Sequence, residues 1–339
     1  MTQCDGPKPL RILNAEPLGY SCEARALLMQ WGTLVEKEMC RTELLHELGD
    51  YDVLIVRLAH QIDQEVIKVG QHLKAIVTAT TGLDHIDVEF AQARGIAVLS
   101  LRGETEFLRS ICATAEHTWA LLLGLLRRIV PAFLAVQRGE WDRDAFRGHE
   151  LNGKRLGIIG LGRVGQKVAR YGQIFGMEVK AYDPFAPEWI EGVWRAATLA
   201  DLLCWSNVLS LHVPLTTETQ GMIGTSELAL LPPGAIFINT SRGELVDEAA
   251  LAQVLASQHL AGAAVDVIGH ERQPEQRRQS PLLAYACSHD NLLITPHIAG
   301  ATYESMAKTE VFIARKLENF LAHLGLLTHC DTRSIRTHA

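Results

Sequence analysis

The sequence predicts an α/β protein built from two parallel β-sheets with helices on both faces. Short apolar runs alternate with helical patterns along the chain, and this alternation occurs in two successive rounds. A length of 339 residues gives room for two domains, and a hydrophobic content of 47% is enough to build a core in each. We therefore expect two doubly wound domains.

Each round is defined by its apolar runs. The first round has the predicted strands LRILNA, YDVLIVRL, LKAIVTAT and IAVLSL, with helical patterns at CEARALLMQWG and VEFAQARG. The second round has the predicted strands RLGIIG, MEVKAYD, NVLSLHVP, AIFINTS, GAAVDV and NLLITPH. Strands separated by helices pair in parallel, because each connection returns to the same edge of the sheet.

Two further helices lie outside these rounds. Residues 109–139, RSICATAEHTWALLLGLLRRIVPAFLAVQRG, place apolar side chains on nearly every face, which predicts a helix buried between layers or against another subunit. We expect a homodimer contact there. Residues 301–324, ATYESMAKTEVFIARKLENFLAHL, predict an amphipathic helix after the last strand.

Composition excludes several classes of partner. The chain has 32 basic and 39 acidic residues, a formal charge of −7 and no dense basic run, so we expect no nucleic acid partner. The N-terminus, MTQCDGPKPLRIL, lacks the apolar stretch of a signal peptide. The longest apolar run, Trp119 to Leu126, is too short to span a membrane. We expect a soluble protein without a membrane partner.

The cysteines indicate the compartment. There are seven, without a CxxC pair or a His/Cys cluster, which fits neither a disulfide framework nor a zinc site. We expect a reducing, cytoplasmic location and no metal.

The most specific motif is GLGRVG, which contains Gly160, Gly162 and Gly165. It follows the predicted strand RLGII and opens a predicted helix, the setting in which such glycines bind a dinucleotide pyrophosphate at a helix N-terminus. Asp183 ends the next predicted strand, 18 residues after Gly165, where a carboxylate accepts hydrogen bonds from the ribose hydroxyls and repels a 2′-phosphate. The alternative is that the glycines serve only strand-to-helix packing. We predict a Rossmann-like domain that binds NAD in preference to NADP.

Three charged residues follow strands of this domain. Arg242 ends IFINTSR, where it either points into solvent or holds an anion such as a carboxylate in two parallel hydrogen bonds. His297 follows the last predicted strand and is suited to exchange a proton, and Glu271 could hold its imidazole. These three residues beside a hydride carrier predict a reaction between a 2-oxo acid and a 2-hydroxy acid.

With these motifs, the chain resembles the D-isomer-specific 2-hydroxyacid dehydrogenases, which include phosphoglycerate dehydrogenase, hydroxypyruvate reductase and D-lactate dehydrogenase. The resemblance covers almost the whole chain. It runs through YDVLIVR, TTGLDHID, ELNGKRLGIIGLGRVG, LSLHVPLTTETQGMIG, NTSRGELVDEAAL, AGAAVDV and ITPHIAGAT. It implies a discontinuous substrate domain, residues 1–103 with 298–339, and an NAD-binding Rossmann domain, residues 104–297.

The resemblance also implies roles for individual residues. Arg242, Glu271 and His297 form the implied catalytic set. The implied cofactor contacts, besides the three glycines and Asp183, are Arg163, Val164, His212, Val213, Pro214, Thr240, Asp266 and Gly300. Backbone N–H groups around Thr81 and Gly82 could hold a substrate carboxylate.

The chain departs from the family pattern at two places. Glu271 is followed by Arg272 where the family has proline, and a polar loop follows, so Glu275 remains an alternative partner for His297. Thr80 replaces the first glycine of the family's Gly-x-Gly-x-Asp loop.

Other polar residues receive plainer interpretations. His85, His117 and His149 have no motif partner and are interpreted as ordinary helix or loop residues. Asp84 and Asp87 are interpreted as caps of backbone N–H groups. Arg57 ends DVLIVR and either lies in solvent or meets a second anionic group of the substrate.

The sequence thus predicts an NAD-dependent oxidoreductase, a small-molecule 2-oxo or 2-hydroxy acid as its substrate, and a homodimer. Two alternatives remain open. One is an NAD(H)-sensing binding protein on the same fold, similar to the corepressors that resemble this family. The other is a formate or phosphite dehydrogenase.

Overall fold

A computed structural model describes residues 9–186 and 189–327. The strands, in chain order, are β1 Leu10–Asn14, β2 Gly32–Glu36, β3 Val53–Val56, β4 Ala75–Thr78, β5 Ala97–Leu99, β6 Arg155–Ile159, β7 Glu178–Tyr182, β8 Val193–Arg195, β9 Val208–Leu211, β10 Ala235–Asn239, β11 Leu260–Val265 and β12 Leu292–Ile294. The ends of the predicted substrate domain, residues 1–8 and 328–339, lie outside the described residues.

The α-helices, in chain order, are α1 Cys22–Trp31, α2 Arg41–Glu47, α3 Gln64–Val69, α4 Val88–Ala93, α5 Thr105–Leu108, α6 Ala113–Leu126, α7 Ile129–Gln137, α8 Arg163–Ile174, α9 Leu199–Trp205, α10 Thr225–Leu230, α11 Glu248–Ala256, α12 Pro274–Arg277, α13 Pro281–Ala286 and α14 Tyr303–His323. Short 3₁₀ turns lie at Leu48–Asp50, Asp144–Phe146 and Gly243–Leu245. The described chain forms two compact units: one runs to Glu104 and resumes at Tyr303, and the other is Thr105–Thr302.

The first unit has a five-stranded parallel sheet in the order β2-β1-β3-β4-β5. Strands β3 and β4 are buried along their whole length, which explains their unbroken apolar sequences. The predicted amphipathic helix forms α14, which packs against α1 within this unit.

The second unit has a seven-stranded parallel sheet in the order β12-β11-β10-β9-β6-β7-β8. Neighbouring residues of β10 pack into different apolar clusters, Phe237 into one and Ile236 and Ile238 into the other, so both faces of the sheet are covered. The strand order reverses between β6 and β9. In open parallel sheets, ligands bind beyond the carboxyl ends of the strands at such a reversal.

The α/β class with two parallel sheets is confirmed, and the sequence missed one strand in each sheet. Strand β2 lies at the edge of its sheet and none of its residues is fully buried. Strand β8 is also an edge strand, and only Val193 of its three residues is buried. An edge strand needs no continuous apolar run, so its sequence signal is weak.

The apolar segment after the first round differs from the predicted single helix. It forms two helices, α6 and α7. They are separated at Arg128, whose φ of 51° lies in the left-handed region, and the chain bends by 63° between them. Helix α6 is largely buried, whereas Phe133 of α7 is 59% exposed. In the part of the chain that the structure describes, no single helix is long and apolar enough to cross a membrane, and only the bent segment containing α6 and α7 passes on length and composition.

Candidate active site

The glycine-rich turn joins β6 to α8, and each glycine has a different environment. Gly160 has φ +89°, and a Cβ on it would lie 2.5 Å from the carbonyl oxygen of His212. A Cβ on Gly165 would lie 2.0 Å from the carbonyl oxygen of Gly160, so only glycine allows this helix to approach the strand. A Cβ on Gly162 would meet nothing within 4 Å. The turn therefore leaves open space at the N-terminus of α8, where free N–H groups favour an anion.

The residues that open α8 frame this space. Arg163 Nη1 donates to the carbonyl of Ile111 at 3.3 Å, and burial lowers the pKa of its guanidinium. Val164 packs partly buried against the apolar cluster on one face of the sheet. Both predicted pyrophosphate contacts therefore lie at the start of the helix, where an anion would offset the cost of burying the arginine.

Asp183 follows β7 and is tied to the glycine turn. Its carboxylate accepts hydrogen bonds from the backbone N–H of Leu161 and of Phe185, both at 2.8 Å. These bonds place the carboxylate beside the turn, at the strand end where the sequence put the ribose contact. Asp183 thus has a structural task in addition to any contact with a ribose.

The residues after β9 form the next wall. Burial lowers the pKa of His212 to about 3, so its imidazole is neutral at physiological pH, and its Nε2 is bonded to Ser210 Oγ at 2.9 Å. Val213 is partly buried, and Pro214 is exposed and accepts from Thr219 Oγ1 at 2.7 Å. This segment offers apolar and neutral surfaces rather than a cation.

Arg242 lies in the turn after β10. Asn239 fixes the turn, because its side chain donates to the carbonyl of Arg242 at 2.8 Å and accepts from the N–H of Ser241 at 2.9 Å. Arg242 is half-buried, and its Nη1 donates to the carbonyl of Ser241 at 2.7 Å. A Cβ on Gly243 would lie 2.0 Å from the backbone of Ile268, so this turn packs closely on the loop that follows β11.

His297 and Glu271 are in direct contact. Nδ1 of His297 lies 2.6 Å from Oε1 of Glu271, and the side chains are only 22% and 19% exposed. Glu275 instead bonds Arg278 at 3.0 Å. The structure therefore brings Glu271, and not Glu275, against the imidazole. Because a carboxylate only accepts, a neutral His297 keeps its hydrogen on Nδ1 and leaves Nε2 as the atom that gains or loses a proton.

The loop that carries Glu271 is held by two other glutamates. Glu248 accepts from the N–H of Gly269 at 2.6 Å and from Ser280 Oγ at 2.5 Å, and Glu244 accepts from the N–H of His270 at 3.1 Å. These contacts fix the backbone directly before Glu271.

Asp266 holds the backbone at His297 and at the two residues that follow it. Its carboxylate accepts from the N–H of Ile298 at 2.9 Å and of Ala299 at 2.8 Å, and its carbonyl accepts from the N–H of His297 at 2.8 Å. His297 has φ +54°, a left-handed conformation that costs about 1 to 3 kcal/mol in a residue with a side chain and often occurs at active sites. The contacts to Asp266 maintain that conformation.

Sequence reasoning missed His117 and Thr118 on α6. His117 Nε2 lies 3.0 Å from Thr295 Oγ1 and 3.3 Å from Asp266 Oδ1, and Thr118 Oγ1 bonds Thr240 Oγ1 at 2.9 Å. The interpretation of His117 as an ordinary helix residue did not foresee these contacts, because their sequence separation exceeds one hundred residues. Sequence spacing alone gives no signal for such pairs.

The second unit matches the family model for the "D-isomer specific 2-hydroxyacid dehydrogenase, NAD binding domain" over residues 119–299. The chain belongs to the D-isomer-specific 2-hydroxyacid dehydrogenase family. The second unit is therefore an NAD-binding domain, and the open turn at Gly162 fits a dinucleotide phosphate.

Relatives with known names agree with this membership. The chain is 38% identical over 96% of its length to D-3-phosphoglycerate dehydrogenase of Archaeoglobus fulgidus, of which it spans only 60%. It is 36% identical over 87% of its length to hydroxypyruvate reductase of Thermotoga maritima and covers 94% of that protein. The structure of D-lactate dehydrogenase from Aquifex aeolicus with NAD and lactic acid matches with a TM-score of 0.81 at 29% identity, covering 94% of this chain and 97% of that one.

In the first unit, the predicted substrate residues Arg57 and Gly82 have internal partners. Arg57 donates from Nη2 to Glu310 Oε1 at 2.6 Å and from Nη1 to the carbonyl of Leu18 at 2.9 Å. Thr80, the departure from the family's glycine, donates its hydroxyl to the carbonyl of Gly82 at 2.8 Å. Thr81 is exposed. Thr80 thus stabilises the turn by a side-chain hydrogen bond that glycine cannot make.

The remaining predicted residues are placed as follows. Gly300 is exposed, and a Cβ there would meet nothing within 4 Å. Asp87 caps α4 by accepting from the N–H of Phe90 at 3.0 Å, as the sequence predicted. Among residues 9–186 and 189–327, no three His, Cys, Asp or Glu side chains group as a metal site requires.

Proposed function

We propose that this protein is an NAD-dependent D-2-hydroxyacid dehydrogenase that interconverts a 2-oxo acid and a D-2-hydroxy acid. The observation that carries the proposal is the 2.6 Å hydrogen bond between His297 and Glu271 in a domain of NAD-binding type. A histidine held by a carboxylate beside a hydride carrier is suited to general acid and base catalysis.

The second unit would hold the cofactor at the reversal of its strand order. The backbone of the glycine turn and the start of α8 would bind the pyrophosphate, together with Arg163 and Val164. Asp183 would accept from the ribose hydroxyls, and the walls would be formed by His212, Val213, Pro214, Thr240, Asp266 and Gly300. When bound, the nicotinamide supplies hydride for reduction of the substrate and accepts it in the reverse direction.

Arg242 would bind the substrate carboxylate. Its guanidinium offers parallel N–H donors, and the turn that carries it is fixed by Asn239. Polarisation of the neighbouring carbonyl by the same cation would stabilise negative charge as it develops on the oxygen. Arg57, Thr81 and Gly82 remain our proposed substrate contacts from the first unit.

His297 would give its proton to the substrate oxygen during reduction and take it back during oxidation. Its Nδ1 is occupied by Glu271, so the exchange would occur at Nε2. The glutamate would stabilise the protonated ring and keep it oriented.

The named relatives suggest small 2-oxo acids such as hydroxypyruvate, pyruvate or a phosphorylated 3-carbon acid as candidate substrates. The test is NADH oxidation by the purified protein with glyoxylate, hydroxypyruvate, pyruvate, phosphohydroxypyruvate and bulkier 2-oxo acids. We expect turnover with at least one of them. Tight NADH binding without any turnover would favour a cofactor-sensing protein, and activity with formate or phosphite would indicate that alternative reaction.

A homodimer in the cytoplasm completes the proposal. Helix α7 exposes Ile129, Val130, Phe133, Leu134 and Val136, a set of large apolar side chains that a second copy would cover. All five cysteines in the described part of the chain are free, in accord with a reducing compartment. Light scattering of the wild type and of Phe133→Glu tests the interface, and we expect the variant to dissociate to monomers.

A further inference from the structure

We propose that His117 is a positioning residue for His297, acting through the Thr295 hydroxyl and the Asp266 carboxylate. This inference rests on the proposed function, because it concerns the histidine that exchanges the proton there. It assigns a task to a side chain on α6 that the proposed catalytic set does not include.

The direction of the hydrogen bonds follows from the donors available. Thr295 Oγ1 donates its one hydrogen to Asp266 Oδ1 at 2.6 Å. The same oxygen lies 3.0 Å from His117 Nε2 and can only accept there, so Nε2 carries the hydrogen. The ring donates in this way whether it is neutral or protonated, and its 3.3 Å distance to Asp266 Oδ1 adds a second, weaker attraction.

Asp266, which is held by Thr295 and His117, in turn holds the backbone of residues 297 to 299. Three consecutive backbone N–H groups, from residues 297 to 299, all bind Asp266. His297, the first of these three residues, has a left-handed conformation, which persists only where the surroundings impose it. The position of the Asp266 carboxylate therefore sets the direction of the His297 side chain and its contact with Glu271.

The carboxylate needs the donors that His117 helps to supply. The side chain of Asp266 is 0% exposed and that of His117 is 18% exposed, so water contributes little there. Burial alone raises the pKa of Asp266, but the hydrogen bonds from His117, Thr295 and the two backbone N–H groups outweigh it and the pKa is lowered. Removal of the His117 donor frees Thr295 to rotate and weakens the hold on Oδ1.

The experiment compares His117→Leu with His117→Gln in the full-length protein. Gln places an amide N–H near the position of Nε2, whereas Leu offers no donor. We expect Leu to lower reductive kcat roughly 5- to 50-fold with little change in the KM of the oxo acid or in NADH affinity, the result of losing one or two buried hydrogen bonds. Gln should retain most of the rate. His149→Leu, at an exposed position of the same unit, is the matched control and should behave as wild type.

A second measurement does not depend on turnover. In protein labelled with ¹³C-histidine, the ring resonance of His297 should shift in His117→Leu and stay in place in His149→Leu. Thr295→Val and Thr295→Ser test the next residue in the hydrogen-bond path from His117 to Asp266. We expect the larger shift of the His297 resonance in Thr295→Val, which removes the hydroxyl. This pair replaces the two His117 variants if His117→Leu does not fold.

Three outcomes overturn the positioning role. They are an unchanged His297 resonance when the donor is removed, a wild-type kcat in His117→Leu while His297→Gln is impaired, and an equal loss of kcat in Leu and Gln. The failure of the proposed function is distinct: no oxo acid is reduced, or His297→Gln is fully active. The resonance still decides the positioning role in that case.

Discussion

Two buried carboxylates, one in each unit, differ in how they are stabilised. Asp266 in the second unit is 0% exposed in its side chain, and Glu310 on α14 of the first unit is 2% exposed. Burial raises the pKa of both groups. For Asp266 the donors outweigh burial and the net pKa is lowered, whereas for Glu310 burial outweighs its partners and the net pKa is raised.

The difference lies in the number of donors rather than in the presence of a cation. Glu310 has the guanidinium of Arg57 at 2.6 Å and the N–H of Ser21 at 2.6 Å. Asp266 is instead surrounded by two backbone N–H groups, the Thr295 hydroxyl and the nearby His117 ring. Several fixed dipoles stabilise a buried charge better than one ion pair that must itself be desolvated.

Each unit also has an arginine at a strand end, and both arginines have partners. Arg57 follows β3 and donates to Glu310, and Arg242 follows β10 and donates to the carbonyl of Ser241. An arginine after a strand is therefore insufficient evidence for an anion site, and its partners must be examined. Variants of the two arginines, of Asp266 and Glu310, and of His297 test these differences.

The largest effect is expected at His297. His297→Gln keeps a hydrogen-bonding side chain but cannot donate a proton, so reductive kcat should fall roughly 10²- to 10⁴-fold. NADH affinity, measured by fluorescence, should stay close to wild type because the glycine turn is untouched. His149→Gln is the control, and equal rates in the two variants would remove His297 from its proposed role.

A smaller loss is expected at Arg242. Arg242→Lys keeps the charge but loses the parallel donors. The value of kcat/KM for the best oxo acid should therefore decrease by a factor between about 10 and about 1000. Arg57→Lys, measured in parallel, should lower kcat/KM less, because Arg242 lies in the same unit as His297, whereas Arg57 lies in the first unit. A larger loss at Arg57 would mean that the substrate carboxylate is held there.

The two carboxylates should show opposite effects of pH on stability. A lowered folded-state pKa contributes stability above the unfolded-state pKa, about 3.9 for Asp, and loses it as pH falls through the folded value. Asp266→Asn should therefore cost about 1 to 3 kcal/mol at pH 7 and less at pH 3. A raised pKa acts in the other direction, since ionisation of Glu310 lowers stability as pH rises from about 4.3.

Glu310→Gln is the matched variant for that comparison. Relative to wild type, its unfolding free energy should improve between pH 4 and pH 7, even if the loss of the Arg57 contact lowers it overall. Urea unfolding of wild type and both variants at several pH values gives, for each variant, the slope of its change in unfolding free energy against pH. Slopes of the same sign would contradict the explanation that the number of hydrogen-bond donors lowers the pKa of Asp266 while burial raises that of Glu310.

The smallest effect is expected at Asp183. Asp183→Ser removes the proposed acceptor for the ribose hydroxyls and the charge proposed to repel a 2′-phosphate, so the preference for NADH over NADPH should fall about tenfold. The Ser side chain can still accept one bond from the glycine turn. Relative kcat/KM for the two cofactors measures the change, and an equal preference already present in the wild type would refute the assignment.

The sequence predicted those parts of the molecule whose signals are local. The glycine turn, the buried strands and α14 each follow from a short continuous pattern, and the structure contains all of them. Edge strands β2 and β8 were missed because their residues are not buried on both faces. The break between α6 and α7 depends on one left-handed residue, Arg128, which apolar periodicity does not reveal.

The residue types of the candidate site could be selected from the sequence, but most of their contacts could not. Arg242, Glu271 and His297 could be selected because each comes after a predicted strand, in a segment that resembles the family. The bonds from His117 to Thr295 and from Arg57 to Glu310 join residues 178 and 253 positions apart, and no spacing rule connects them. Such contacts arise from packing, which a single sequence does not specify.

We propose that His297, oriented by Glu271, supplies the proton when a 2-oxo acid is reduced. The most direct test is the single-turnover rate of NADH oxidation from pH 6 to pH 9, with deuterated NADH used to show that hydride transfer limits the rate. We expect the wild-type rate to fall as pH rises, because Nε2 no longer carries a proton, and His297→Gln to give a much lower rate without this fall. A flat wild-type profile with a full deuterium effect would contradict it.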